Sequence, residues 1–291
     1  MTAALEVLDT GPLSTVQDLG RPGYAGIGVG TSGAADRAAL RLANRLAGND
    51  EGAAAVEVTF GGFAARALRD LTVVVTGAPC PVTVGGRGAA TDTVLRVPGG
   101  ALLRLGAPER GLRSYVAVRG GLDVEPVLGS RATDVLSGLG PEPLRRGTVL
   151  ATGPPPAHWA PVGFAPVAAP AAEELVLTVV PGPRDDWFTA RALATLFGAP
   201  YTVTADCDRV GIRLDGPRLD RARDDELPSE GMVAGALQVP PGGRPTLFLA
   251  DHPVTGGYPV IAVVVAADVD KAAQARPGLR LRFTARGRRG P

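Results

Sequence analysis

The side chains best placed for chemistry gather in Asp251–Val265, reading DHPVTGGYPVIAVVV. Asp251 is a candidate acid/base or orienting carboxylate. Tyr258 supplies a hydroxyl seven residues later, with Thr255 between them. Gly256 and Gly257 carry no Cβ, so their backbone N–H groups can come close to a carboxylate or a developing oxyanion. Two further sets accompany this stretch. Ser14–Tyr24, STVQDLGRPGY, brings an amide (Gln17), a carboxylate (Asp18) and a guanidinium (Arg21) close together. Arg209 and Gln238 each stand at the end of an expected strand. Arg21 and Arg209 are candidate anion binders through the planar guanidinium fork. Gln17, Gln238 and Tyr258 are suited to orienting an amide. Plainer readings compete: a tight hairpin at the Gly-Gly pair, and an Asp18–Arg21 pair satisfied within its own turn.

Other chemistries lack their residues. There is no GxxxxGK[ST] phosphate loop and no GxSxG elbow. The single lysine, Lys271, sits in a late amphipathic stretch, which disfavours a Ser–Lys amidase and a biotin-attachment site. Two histidines and two distant cysteines give neither a Ser-His-Asp set nor metal-ligand spacing. A net charge of +1 argues against a dominant nucleic-acid or membrane role. The first residues show no basic, apolar leader and no run reaches membrane-spanning length, so a cytoplasmic protein is expected.

The elements that must hold these groups are mostly short strands. Forty glycines and 27 prolines in 291 residues punctuate the chain without a low-complexity period. From residue 54 to 150, apolar runs alternate with Gly-Gly, Pro-Gly or Gly-Ala turns, the pattern of a sandwich or barrel. Val260–Val265 reads as a buried strand after a preceding one at Thr246–Ala250. Three helices are expected: Ala34–Ala47 capped by Ser32, one from Asp185 or Asp186 through Phe197, and Lys271–Ala275. The tail, ARGRRGP, reads as frayed, and Arg221–Glu226 as a solvated charged loop. Ser130, Arg131 and Thr133 are candidate polar contacts on a long loop. The Pro/Ala-rich segment 153–174 reads as a linker between residues 1–152 and 175–291.

In order along the chain stand TVQDLGRPGY, SGAADRAALRLANRLAGN, VTGA, SYVAVRGGLDVEPVLGSRATD, PGPRDDWF, DRVGIRLDG, SEGMVAGALQVPPGGRP and DHPVTGGYPVIAVV. Together they resemble the carboxyltransferase-domain family related to urea amidolyase. Its stand-alone members include the C subunit of ATP-dependent 5-oxoprolinase, also labelled allophanate hydrolase subunit 2 or biotin-dependent carboxyltransferase. The resemblance implies a mostly β fold with two cyclophilin-like barrel subdomains and a few short helices. It implies a companion B subunit, itself like a kinase inhibitor, and an A subunit, acting with ATP to open the cyclic amide of 5-oxoproline to glutamate. Two other readings attach to it: carboxyl transfer between biotin and a urea-like amide, and a non-catalytic regulator that binds a histidine-kinase inhibitor. Where the family usually has Arg, this chain has His252.

Overall fold

A computed structural model describes residues 2–223 and 225–286. The tail residues 287–291 and Asp224 of the charged loop lie outside the described residues. The chain divides into two compact units, Met1–Pro22 with Ser32–Pro170, and Gly23–Thr31 with Ala171–Pro291.

In the first unit, chain order is β1 (Thr2–Thr10), β2 (Leu13–Gln17), α1 (Arg37–Ala47), β3 (Ala55–Thr59), β4 (Phe63–Ala67), β5 (Leu71–Gly77), β6 (Val82–Val84), β7 (Arg87–Ala89), β8 (Val94–Val97), β9 (Leu102–Leu105), β10 (Arg113–Val118) and β11 (Val149–Thr152). These strands form two sheets, ordered β11-β1-β4-β9-β6-β7 and β2-β3-β10-β5-β8. Strand alternation decides what each face covers. Val56, Val58, Val73, Val75, Val116 and Val118 point at the other sheet and share its core with Leu5, Ala65 and Leu103. Their sequence neighbours Ala55, Val74, Tyr115 and Ala117 point the other way, under Leu40, Ala43 and Leu46 of α1. Strand β10 is therefore buried along its whole length, which is why it lacks polar alternation.

Helix α1 starts later than its sequence suggests. Ser32 is not its cap; it has φ +53°. Asp36 caps instead, accepting from the Ala39 N–H at 2.9 Å. The N–H groups before it are already taken: Ala34 by the Asp18 carbonyl, Ala35 by the Glu57 carboxylate and Asp36 by the Tyr115 hydroxyl. Residues 153–165 lie along this unit. The Arg119 guanidinium stacks 3.8 Å above the Trp159 ring, and Val94 and Ala165 join the segment by backbone bonds to Gly163 and Asp92.

The second unit is a closed barrel. Its elements are β12 (Glu174–Pro181), α2 (Ala190–Gly198), β13 (Tyr201–Cys207), β14 (Gly211–Asp215), β15 (Glu230–Gly231), β16 (Ala236–Gln238), β17 (Thr246–Phe248), β18 (Thr255–Gly256), β19 (Val260–Val264), α3 (Ala266–Ala272) and β20 (Arg280–Ala285). The barrel runs β12-β19-β16-β17-β14-β13-β20 and back to β12, and β15 pairs with β18 outside it. Ile212, Leu214, Leu237, Leu247, Leu281 and Phe283 fill the interior, joined by Leu196 of α2 and Ala272 of α3. Two helix starts differ from expectation. The Asp185-Asp186 segment makes only a short 3-10 turn, because Phe188 turns extended, at φ −114° and ψ 150°, and is buried in the barrel core; Thr189 then caps α2. Helix α3 begins at Ala266, five residues before the expected Lys271.

Candidate functional site

Arg209 and Asp251 are brought together by the ends of β13–β14 and β17. Arg209 Nε and Nη2 each donate to an Asp251 carboxylate oxygen at 2.9 Å. The backbone repeats the link, the Asp251 N–H bonding the Arg209 carbonyl at 3.0 Å. Arg209 is 1% exposed and Asp251 2% exposed. Two charges so deeply buried persist because each satisfies the other in fork-to-fork geometry.

A second cluster surrounds Gln238. Its Nε2 donates to the Tyr258 carbonyl at 3.0 Å and approaches the Met232 sulfur at 3.8 Å. Gly256 lies against the same amide: a Cβ there would sit 2.6 Å from Gln238 Nε2. Neither Gly256 nor Gly257 has positive φ. The tight Gly-Gly hairpin turn, the plainer reading of this pair, is therefore not formed. Gly256 instead belongs to β18, paired with Glu230, and its missing side chain is what lets the Gln238 amide in. Around Gly257 the nearest atom to a Cβ would be 3.7 Å away. Thr255, opposite Gly231, is exposed.

Gln238 and Tyr258 line an open groove of about 1240 Å³. Its walls come from Thr204–Asp208, Arg213, Arg218, Arg244, Pro240 and Phe248. Arg209, Asp251 and Thr255 are not part of that lining: Arg209 and Asp251 form an enclosed ion pair, Gln238 and Tyr258 line the groove, and Thr255 belongs to neither. The Tyr258 ring, 45% exposed, lies under the Arg221 guanidinium at 5.8 Å. His252 hydrogen-bonds the Pro253 carbonyl through Nδ1 at 2.8 Å.

Gln17 and Arg21 belong to the first unit. Strand β2 ends at Gln17, in a stretch whose polar residues suggested a loop; both its faces are buried, and its polar groups find tertiary partners. Gln17 Nε2 donates to Thr15 Oγ1 at 3.0 Å and to the Thr133 carbonyl at 2.8 Å. Arg21 donates to the Val127 and Ala132 carbonyls. Asp18 does not pair with Arg21: it accepts from the Gly20 and Arg131 N–H groups and from Ser130 Oγ. Gln17 Oε1, Arg21 Nη1 and Thr133 Oγ1 are buried with no hydrogen-bond partner among the described residues. Sequence reasoning missed the Glu57–Tyr115 pair beneath α1. The Tyr115 hydroxyl donates to Glu57 at 2.7 Å. Burial first, and then the adjacent Glu57 and Asp36 charges, push the Tyr115 hydroxyl well above its ordinary pKa.

Residues 27–285 match the family model of the carboxyltransferase domain, subdomain A and B. The chain belongs to the carboxyltransferase-domain family. Among relatives, the C subunit of 5-oxoprolinase from Escherichia coli is 35% identical over 96% of this chain and 90% of its own length. The crystal structure of TTHA0988 superposes with a TM-score of 0.88 at 36% identity, covering 97% of this chain and 55% of that one. The K. lactis urea amidolyase structure gives a TM-score of 0.92 at 29% identity, with 98% of this chain on 19% of that one. This chain thus spans about half of TTHA0988 and about a fifth of the amidolyase. The family assignment fits the mostly β fold and the closed barrel of the second unit; the first unit arranges its strands in two sheets. Among the described residues no helix is long and apolar enough to cross a membrane, and no cluster of metal-binding side chains occurs.

Proposed function

We propose that this chain is the C subunit of an ATP-dependent 5-oxoprolinase, acting with B and A subunits to cleave the cyclic amide of 5-oxoproline to glutamate. The observation that carries the reading is length together with identity. The E. coli protein is matched over nine-tenths of its own length, whereas urea amidolyase is matched only as a segment of a much longer chain. Opening a lactam needs an activated amide, and phosphorylation of the amide oxygen by ATP supplies that activation. The chain's part is to hold an anionic amide with oriented donors and cations. Co-expression with the companion subunits, followed by size exclusion and an assay for glutamate from 5-oxoproline plus ATP, tests it. Co-elution and turnover that require this chain support the reading; turnover by the companions alone overturns it.

A second reading, carboxyl transfer between biotin and a urea-like amide, is favoured by the likeness to urea amidolyase across nearly the whole chain. Carboxylation of urea by a biotin-loaded companion, in place of glutamate release, would select it.

A further inference from the structure

The groove in the second unit has an ordered floor. Strands β14, β17 and β16 are neighbours, and their register sets Arg213 opposite Thr246 and Thr246 opposite Gln238. Paired residues share a face of a sheet. Ile212, Leu247 and Leu237, the alternate residues, fill the barrel interior, so Arg213, Thr246 and Gln238 stand on its outer surface. All three line the groove. A guanidinium, a hydroxyl and an amide thus form one row across three strands. Its ends are roughly 10 Å apart at the backbone, twice the interstrand spacing.

None of the three spends its outward group on the protein. Arg213 and Thr246 side chains make no hydrogen bond or ion pair among the described residues, and neither does Arg218 on the groove wall. Gln238 is 6% exposed, and its bonds to Tyr258 and Met232 both use Nε2, which fixes the amide and leaves Oε1 as a free acceptor. Asp208, also in the lining, accepts from the Val210 and Gly211 N–H groups at 2.8 and 3.0 Å. Beside the groove, a bulge sets Thr204, Ala205 and Asp206 against the single residue Arg213 and interrupts the β13–β14 pairing.

We infer that the Arg213–Thr246–Gln238 row is a recognition site for a small carboxylate bearing an amide N–H, the carboxylate on Arg213 and the N–H on Gln238 Oε1. A lactam carboxylate belongs to that class, so the inference rests on the reading above for its substrate but not for its geometry. It places the anion-binding cation at Arg213 rather than at Arg209, whose fork is occupied by Asp251.

The test is calorimetric titration of the purified full chain with three probes: 5-oxoproline, its N-methyl derivative and 2-pyrrolidinone. The last two lack the N–H and the carboxylate respectively. Both should bind at least about tenfold more weakly than 5-oxoproline, since each leaves one polar group unmatched. Arg213→Ala, a change at an exposed position, should bring 5-oxoproline down to the level of 2-pyrrolidinone. Gln238→Met should erase the difference between 5-oxoproline and its N-methyl derivative. If that variant misfolds, the probe comparison on the wild-type chain still decides the point. Absence of 5-oxoproline binding, indifference to N-methylation, or an unaltered affinity in Arg213→Ala overturns the site. A complex that hydrolyses 5-oxoproline with unchanged KM in Arg213→Ala overturns the site and keeps the proposed function. Arg213-dependent binding in a chain whose complex releases no glutamate keeps the site and overturns the function.

Discussion

Arg209 grips Asp251 through two parallel hydrogen bonds of 2.9 Å, and both residues are closed off from solvent. A carboxylate in that position orients the backbone between β17 and β18 rather than meeting a ligand. Asp251→Asn removes the negative charge from this buried fork and should cost about 3–5 kcal/mol of stability. Replacing both partners with apolar residues, Arg209→Met with Asp251→Leu, should recover most of that loss. Chemical denaturation of the single and double variants checks it; an Asp251→Asn chain as stable as wild type would remove the structural role.

Two buried tyrosines make opposite predictions. The Tyr115 hydroxyl donates to Glu57 and accepts from the Asp36 N–H at the start of α1. Tyr115→Phe takes the acceptor from the Asp36 N–H and one donor from the Glu57 carboxylate, which keeps the Ala35 N–H, and should destabilise by about 1–3 kcal/mol. The Tyr201 hydroxyl has no partner among the described residues, and burial pushes its pKa up to about 12. Tyr201→Phe should be neutral or stabilising by up to about 1 kcal/mol, because it removes an unsatisfied polar group. Thermal melts of the two variants side by side give the ranking.

The adjacent glycines should also part company. Gly256→Ala forces the Gln238 amide off the Tyr258 carbonyl and presses on Met232, whose sulfur would be 3.2 Å from the new methyl. A loss of about 1–3 kcal/mol is expected. Gly257→Ala meets only ordinary contact and should fall within about 0.5 kcal/mol of wild type. Equal melting temperatures for both variants would contradict the close approach at Gly256.

Acid should act through Asp268. Burial alone pushes its pKa up, but the hydrogen bonds from Lys271 at 2.7 Å and the Thr178 N–H at 2.8 Å outweigh that and hold it below the usual carboxylate value. A depressed carboxylate stabilises above its unfolded pKa of about 4 and loses that contribution as pH falls through the folded value. Asp268→Asn should lower stability by about 1–2 kcal/mol at pH 7. The gap to wild type should narrow as pH drops below about 4, read from denaturation midpoints across that range.

What the sequence disclosed followed from the strength of its local signals. Val260–Val265 was legible, and forms Val260–Val264, because a β-branched run bounded by turns admits little else. Phe63–Ala67 was not: FAARA has weak strand propensity, and its place between β1 and β9 is fixed by pairing across the sheet. Ser32 misled as a cap because the N–H groups after it are claimed by Asp18, Glu57 and Tyr115, partners that only the folded chain brings near. The same limit applies to the site. Gln238 could be picked out by its type and position. That Arg209 is spent on Asp251, and that Arg213 stands in a row with Gln238, depends on strand register.

Strand β20 lies between β12, which it meets in parallel, and β13. Barrel closure thus waits on residues 280–285, about a hundred positions after β12 is made. Until β20 is made, the sheet of the second unit keeps two unpaired edges, at β12 and β13, the state most prone to joining another chain. Slower elongation cannot let this half fold early; only completion of β20 removes the hazard. Conditions that shield nascent strands should therefore raise the soluble yield of this half more than that of the first, whose last strand, β11, has emerged by residue 152.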